Sequence, residues 1–186
     1  MAFDWDQLHR YRAGAIEWPT GYPDTHRTFF SPADGPGIHA LLVDLVASAR
    51  HSVVLNVFGY DDDAIDQAIH DKIADPNVYV QMSLDSSQAA GVHEKAILAG
   101  WGHDRIGSSI AIGRSVKHAI SHLKVLIVDG LYVVSGSTNW SISGETLQDN
   151  ELLLIRNAVV AAQYRSILDL NHDAMLKQMA ARRDPG

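Results

Sequence analysis

The sequence predicts an α/β protein whose mixed, largely parallel β-sheet is flanked by helices on both faces. From residue 27 onward, short apolar runs alternate with amphipathic helical patterns, which indicates crossover connections between parallel strands. The apolar runs at 123–128 and 131–135 are separated only by Asp129-Gly130, a strong hairpin signal. The sheet therefore contains antiparallel neighbours as well.

The elements follow in a regular order. Residues 27–30 are predicted to form a short strand that ends at a loop rich in Pro and Gly. A helix comes next because apolar residues recur at i, i+3, i+4, i+7, i+8 and i+11. These residues are Ile38, Leu41, Leu42, Leu45, Val46 and Ala49. The remaining predicted strands lie at 53–58, 78–84, near Ile110, at 123–128, 131–135 and 151–155, and the remaining helices at 64–74, 88–98 and 159–179.

Length and composition bound the class of protein. The 186 residues suit an N-terminal extension over 1–26, which is expected to pack as an extra layer, and a single domain over 27–186. The absence of Cys excludes a disulfide scaffold, a thiolate zinc site and a Cys nucleophile. No apolar run approaches the roughly 20 residues of a membrane span, and the N-terminus lacks signal-peptide features. We therefore expect a cytoplasmic protein without stable membrane association.

The charge distribution is uneven. A net charge of −7, from 15 basic and 22 acidic residues, argues against a protein that coats nucleic acid non-specifically. Residues 103–128, however, carry four Lys and Arg against one Asp, with three His besides. A phosphate responds to this local field, so the sequence remains compatible with a nucleic-acid contact restricted to a groove.

The predicted hairpin brings polar residues together. A two-residue turn pairs Val128 with Leu131, and the same register places His122 opposite Ser137. Lys124 shares the face of His122 because side chains alternate along a strand, and Asn139 lies near if the strand continues. These groups either satisfy one another at a sheet end close to water or form a functional site.

Such a set suits phosphate chemistry. The Lys124 ammonium and the Asn139 amide match the non-bridging oxygens of a phosphate. A neutral imidazole at His122 can attack phosphorus if an acceptor, usually a carboxylate, holds its other nitrogen as N–H. Glu151, which begins the next apolar strand, is the preferred candidate for this acceptor, and Glu145 is its rival.

The pattern His122-x-Lys124-x4-Asp129-x6-Gly136-Ser137-x-Asn139 resembles the HKD signature of the phospholipase D superfamily. The chain looks most like the short, single-motif bacterial endonucleases of that superfamily and the Zucchini-type nucleases. The resemblance implies a phospholipase D-like fold and a metal-independent phosphodiester hydrolase that needs no cofactor. It implies that His122 is the nucleophile of a phosphohistidine intermediate, that Lys124 and Asn139 bind the phosphate, and that Ser137 supports the phosphate or the histidine.

The remaining motif positions, Asp129 and Gly136, are expected to be structural. Members with two motifs supply two histidines, one for attack and one for the leaving oxygen, whereas this chain has one motif. We therefore expect a homodimer that completes the site, acting on nucleic acid, with Lys117 and His118 as further substrate contacts. A lipid-cleaving phospholipase D and a catalytically silent binding module are the alternative functions.

Overall fold

The computed structural model describes residues 3–14, 17–88 and 108–183. This part of the chain forms a seven-stranded sheet of order β1-β7-β6-β5-β2-β3-β4. The strands are β1 (His26–Ser31), β2 (Ser52–Val57), β3 (Tyr79–Asp85), β4 (Ile110–Gly113), β5 (Lys124–Val128), β6 (Tyr132–Gly136) and β7 (Asn150–Arg156). The helices are the 3-10 helix η1 (Trp5–Tyr11) and the α-helices α1 (Gly35–Ser48), α2 (Asp63–Ala74), α3 (Ile142–Thr146) and α4 (Ala158–Arg183). The α/β class is confirmed, and the predicted helix at 88–98 lies outside the described residues except for Gln88.

Strand directions refine the prediction of a largely parallel sheet. Strands β1, β2, β3, β4 and β6 all run in one direction, and β5 and β7 run in the other. Because β5 and β7 lie between strands of the first set, four of the six neighbouring pairs are antiparallel. The short β5–β6 connection joins antiparallel neighbours, whereas the β6–β7 connection spans residues 137–149 and contains α3. The sheet is mixed, as predicted, but its parallel contacts are confined to β2, β3 and β4.

Each face of the sheet buries a separate apolar cluster. On one face, η1, α1 and α2 pack on the side chains of Val53, Leu55 and Val57 in β2. On the other face, Val54 of β2 joins a smaller cluster beneath α4. Successive residues of β2 thus enter opposite clusters, so this central strand is an apolar run rather than an alternating one.

Helix α4 packs on the second face of the sheet. Its buried residues Ala161, Leu168 and Met175 recur every seven positions, which places them on one stripe of the helix. His172 extends this stripe and bonds to the Ser83 hydroxyl at 3.1 Å. Although α4 has 26 residues, none of the described helices is long and apolar enough to cross a membrane.

The N-terminal segment is tied to the domain by a buried carboxylate. Asp34 accepts hydrogen bonds from the backbone N–H groups of Ala13, Gly14 and Phe30, and it pairs with Arg12 at 3.3 Å. Burial raises the pKa of Asp34, but the backbone hydrogen bonds and the Arg12 charge outweigh it and hold this pKa below its usual range. The segment therefore forms an additional packed layer, with η1 contributing three core residues: Trp5, Leu8 and Tyr11.

The β5–β6 register differs from the prediction by one residue. The Leu131 N–H does close the Asp129-Gly130 turn on the Val128 carbonyl, at 3.0 Å. Val128 nevertheless pairs with Tyr132, because Leu131 is left out of the ladder and its carbonyl accepts the Asn157 N–H instead. The predicted pairing of His122 with Ser137 is therefore wrong: in the observed register Gly136 lies level with Lys124.

Asp129 joins this turn to the start of β2. Its carboxylate accepts the backbone N–H groups of Arg50, His51 and Ser52, at distances of 2.8–3.1 Å. Its own N–H donates to the Ser52 carbonyl at 2.9 Å. Backbone N–H groups at the beginning of a central strand thus find a partner that the strand ladder does not provide.

We expect Asp129→Ala to lower the free energy of unfolding by about 2 kcal/mol, because three N–H groups lose a charged acceptor. Asp129→Asn should cost less, since Asn retains one acceptor oxygen and tolerates the left-handed backbone found here (φ 53°). Urea denaturation measures both. Asp149→Ala, which removes an exposed carboxylate, is the control and should change stability by less than about 0.5 kcal/mol. Equal effects at positions 129 and 149 would contradict this role.

Candidate active site

Apart from Asp129, which follows the far end of β5, the predicted motif residues gather at one edge of the sheet, where β2, β3, β4 and β6 end and β5 and β7 begin. We call this the site edge. Lys124 is the first residue of β5, His122 lies just before it, and Asn139 follows the end of β6. In open α/β sheets, ligands bind outside the carboxyl ends of the parallel strands. The topology therefore places the motif where a binding site is expected.

The side chains of His122 and Lys124 meet at a common neighbour, Phe58. The rings of His122 and Phe58 are in edge contact, with centroids 4.6 Å apart. The Lys124 Nζ lies 4.9 Å from the centroid of the same ring and donates to the His122 carbonyl at 3.1 Å. His122 itself is exposed. An accessible imidazole thus stands beside an ammonium group whose position is fixed.

The Lys124 ammonium is held in an unusual environment. Lys124 is only 4% exposed, and in the described residues no carboxylate forms an ion pair with it. Burial lowers the pKa of Lys124 to about 8, because removal from water disfavours the charged form. A lysine buried without an acidic partner is rare and costly. An anion bound at this point would supply the missing countercharge.

Asn139 is positioned by backbone contacts between its segment and the end of β2. The Trp140 N–H donates to the Gly59 carbonyl at 3.0 Å, and the Asp61 N–H donates to the Trp140 carbonyl at 2.9 Å. The Trp140 ring is fully buried and anchors the segment. The Asn139 Oδ1 is buried and makes no hydrogen bond within the described part of the chain. The Asn139 side chain lies against Gly59, where an added Cβ would be 3.0 Å from Asn139 Cγ, and Gly59 directly follows Phe58.

Two further residues fix the segment that leads into His122. The Asp85 carboxylate, at the end of β3, accepts the Ser121 N–H at 2.6 Å. The Ser121 hydroxyl donates to Asn56 Oδ1 at 3.1 Å. Neither Asp85, Asn56 nor Phe58 was singled out from the sequence. Asp85 could have been recognised from the sequence because it is a polar residue at the carboxyl end of a buried strand. Phe58 could not, because an apolar residue at the end of an apolar run is typical of any strand.

Ser137 and Glu151 contact each other rather than His122. The Ser137 hydroxyl donates to Asn150 Oδ1 and accepts the Glu151 N–H, each at 3.0 Å. The Glu151 carbonyl accepts the Ser137 N–H at 3.1 Å, while Glu151 itself is exposed. A Cβ on Gly136 would lie 2.3 Å from that carbonyl, so this close approach requires glycine. The roles predicted for Ser137 and Glu151 in catalysis stay predictions.

The other candidates occupy different surroundings. Glu145 is completely buried and lies 3.0 Å from His39 Nδ1, so its candidacy as the acceptor for His122 is wrong. Burial and the nearby Asp62 carboxylate raise the pKa of Glu145 to about 7, although His39 opposes them. Lys117 and His118 are exposed on a turn before His122, closed by the His118 N–H on the Ser115 carbonyl at 2.8 Å.

Comparison with known proteins agrees with this geometry. The family model described as "Cardiolipin synthase, PLD-like domain" matches residues 42–171, and the chain belongs to this phospholipase D-like family. A protein named phospholipase D from Rickettsia bellii is 27% identical over 137 residues, which cover 74% of this chain and 64% of that protein. This chain therefore spans just under two thirds of that relative.

Two solved structures share the fold. Nuc from Salmonella typhimurium, a phospholipase D family member, superposes with a TM-score of 0.65 at 22% identity, over 81% of this chain and 95% of that one. NucT from Helicobacter pylori gives a TM-score of 0.68 at 20% identity, over 80% of this chain and 96% of that one. These matches confirm the predicted phospholipase D-like fold.

The environment of Lys124 predicts a pH-dependent anion site. Because Lys124 is charged below pH 8 and neutral above it, the affinity for sulfate, a dianion throughout this range, should fall about tenfold per unit above pH 8. Calorimetric titration with sulfate between pH 7 and pH 10 measures this dependence. Lys124→Arg keeps its charge over that range, so its affinity should stay nearly constant. A pH-independent affinity in the native protein would contradict the assignment.

Proposed function

We propose that the protein is a metal-independent phosphodiesterase that cleaves nucleic acid through a phosphohistidine on His122, in a site completed by a second copy of the chain. The observation that carries the proposal is the pairing of an accessible imidazole with a desolvated ammonium on one phenyl ring. The ammonium neutralises phosphate oxygens, and the imidazole attacks phosphorus.

The chemistry has two displacements. In the first, a ring nitrogen of His122 forms a bond to phosphorus while the bond to the leaving oxygen breaks, and that oxygen takes a proton from a second histidine. In the second, water gives its proton to the second histidine and attacks phosphorus, and the P–N bond breaks to release the phosphate and regenerate His122. Lys124 and Asn139 hold the non-bridging oxygens through both steps. The two histidines must lie on opposite sides of phosphorus.

A second copy of the chain is the source of the second histidine, because the sequence contains one motif. Exposed apolar side chains flank the site edge on two segments, next to His122 and next to Asn139. They are Val116, Ile120, Ile142 and Leu147, each more than half exposed. A twofold contact at this edge would bury them and face the two motifs towards each other.

Nucleic acid is the favoured substrate for two reasons. The segment 103–128, which ends in β5, carries a local charge of +3 on a chain whose total charge is −7. The sequence also resembles the short single-motif endonucleases of the family, and a domain of this length accounts for nearly all of Nuc and NucT. The relative named phospholipase D favours a lipid phosphodiester as the second candidate.

Substrate choice and metal independence are tested together. Chelator-treated protein is incubated with single-stranded DNA, duplex DNA, RNA and phosphatidylcholine, with His122→Ala as the control. We expect cleavage of a nucleic acid that chelator does not reduce and that His122→Ala lowers by at least about 10³-fold. Cleavage of phosphatidylcholine alone would replace the proposal with the lipid alternative. Nucleic-acid cleavage abolished by chelator would contradict the mechanism.

Mixed dimers test the shared site. Native and His122→Ala chains are unfolded together in equal amounts and refolded. The activity of the mixture is compared with that of native protein alone at the same total protein concentration. A site that needs both histidines leaves about one quarter of the activity, since only native–native dimers work, whereas independent sites leave about half. Mixing with Asp149→Ala chains is the control and should preserve the activity. Sedimentation should give twice the 20.4 kDa chain mass, and an active monomer would refute the dimer.

A further inference from the structure

A second cluster of titratable side chains lies apart from His122, where α1, α2 and α3 meet. His39 of α1 has its Nδ1 3.0 Å from Asp62 Oδ2 and 3.0 Å from Glu145 Oε2. The three ligand atoms all lie within 4.8 Å of one another. They open on a cavity of about 440 Å³ that Pro36, Asp61 and Ile142 also line. Three separate elements thus aim a nitrogen and two oxygens at one point.

The two carboxylates are buried, and their hydrogen bonds do not account for all of their oxygens. Asp62 is 2% exposed and caps α2, with its Oδ1 accepting the N–H groups of Ala64 and Ile65. Its Oδ2 remains for the cluster. Glu145 is 0% exposed, and its Oε1 has no hydrogen-bond partner in the part of the chain that the structure describes. A single N–H on His39 Nδ1 cannot fully serve two carboxylates, and an unpaired buried oxygen is costly.

We propose that His39, Asp62 and Glu145 form a binding site for a divalent metal ion of the Zn²⁺ class. Zn²⁺ binds imidazole nitrogen and carboxylate oxygen at about 2.0–2.2 Å, which places its ligand atoms about 3.3 Å apart. The 3.0 Å separations need only a small expansion to accept the ion. The solvent-facing side, where His39 is about one-third exposed, leaves room for water as a fourth ligand.

The ligand types exclude the commoner hard cations as the preferred occupants. Ca²⁺ requires six to eight oxygen ligands, and Mg²⁺ favours oxygen in near-octahedral geometry, whereas this set contains an imidazole. The ion takes the place of the proton on His39 Nδ1, and its positive charge balances the negative charge of the two adjacent carboxylates. It does so in a position that joins α1, the β2–α2 loop and α3, whose preceding segment carries Asn139.

The ion is therefore structural: it fastens the Asn139 segment to the rest of the domain and takes no part in the displacement at phosphorus. Trp140 binds Gly59 and Asp61 through its backbone on one side of this junction, and Glu145 closes it on the other. Metal loading should stabilise the fold rather than enable the reaction.

Co²⁺ titration tests the site, because four-coordinate Co²⁺ with such ligands absorbs visible light. Chelator-stripped protein is titrated with Co²⁺, and Zn²⁺ is then added. We expect one equivalent of Co²⁺ to produce the absorption, Zn²⁺ to abolish it, and saturating Zn²⁺ to raise the unfolding temperature by about 5 °C. Absence of saturable uptake below about 1 mM Co²⁺ would overturn the proposal.

Matched variants locate the ion. Two single variants each change one ligand: Glu145→Gln, which preserves the shape of the side chain while removing its charge, and His39→Gln. Each of them should weaken Co²⁺ binding at least about tenfold. His51→Gln, at an exposed histidine before β2, and His122→Ala should bind Co²⁺ normally. Circular dichroism verifies folding of each variant. Loss of binding in His122→Ala, or normal binding in both ligand variants, would refute the assignment.

The outcome is independent of the proposed reaction. Chelator-stripped native protein should retain nucleic-acid cleavage at 25 °C and lose it at a lower temperature than the Zn²⁺-loaded protein. Failure of Co²⁺ uptake with activity intact refutes the metal site alone.

Discussion

One carboxylate at the end of the sheet remote from the site determines the alignment of its central strands. Asp129 holds the three N–H groups that begin β2, and this fixes β2 against β5 so that Val53 pairs with Val128. The same register, followed along the strands, pairs Val57 with Lys124. Phe58 then lies beside Lys124 and His122. The acidic member of the motif, Asp129, thus affects the position of Lys124 through strand alignment rather than through direct contact.

This alignment makes the lysine costly for the folded protein. Lys124 could lie in water at the end of a strand, but the fold covers it with Phe58 and provides a carbonyl as its hydrogen-bond acceptor. The resulting depression of its pKa measures free energy that the fold gives up in the empty state. Under the proposed function, a bound phosphate would recover this free energy. The buried Lys124 ammonium would thus favour anionic ligands over neutral ones.

The fold class and the identities of the motif residues were accessible from the sequence, because they depend on local periodicity and on fixed spacing. The β5–β6 register was not, since Leu131 leaves the ladder to bond with Asn157, which is distant in sequence. Glu145 entered only as the rival candidate for the acceptor of His122, and the sequence could not eliminate it because its actual neighbour, His39, comes from a helix more than one hundred residues earlier. Contacts of this kind depend on how distant elements pack together. The spacing of residues within one segment does not predict them.

The N-terminal segment also covers part of the outer strand β1. Strand β1 is an outer strand, and the carbonyl of its Thr28 accepts hydrogen bonds from Arg12 at 3.2 Å and from the Trp18 ring at 2.9 Å. A free carbonyl on an edge strand can accept a hydrogen bond from a strand of another chain and so permits strand addition. Here the chain occupies that position itself. The contacts of Arg12 and Trp18 therefore protect β1 against strand addition at Thr28.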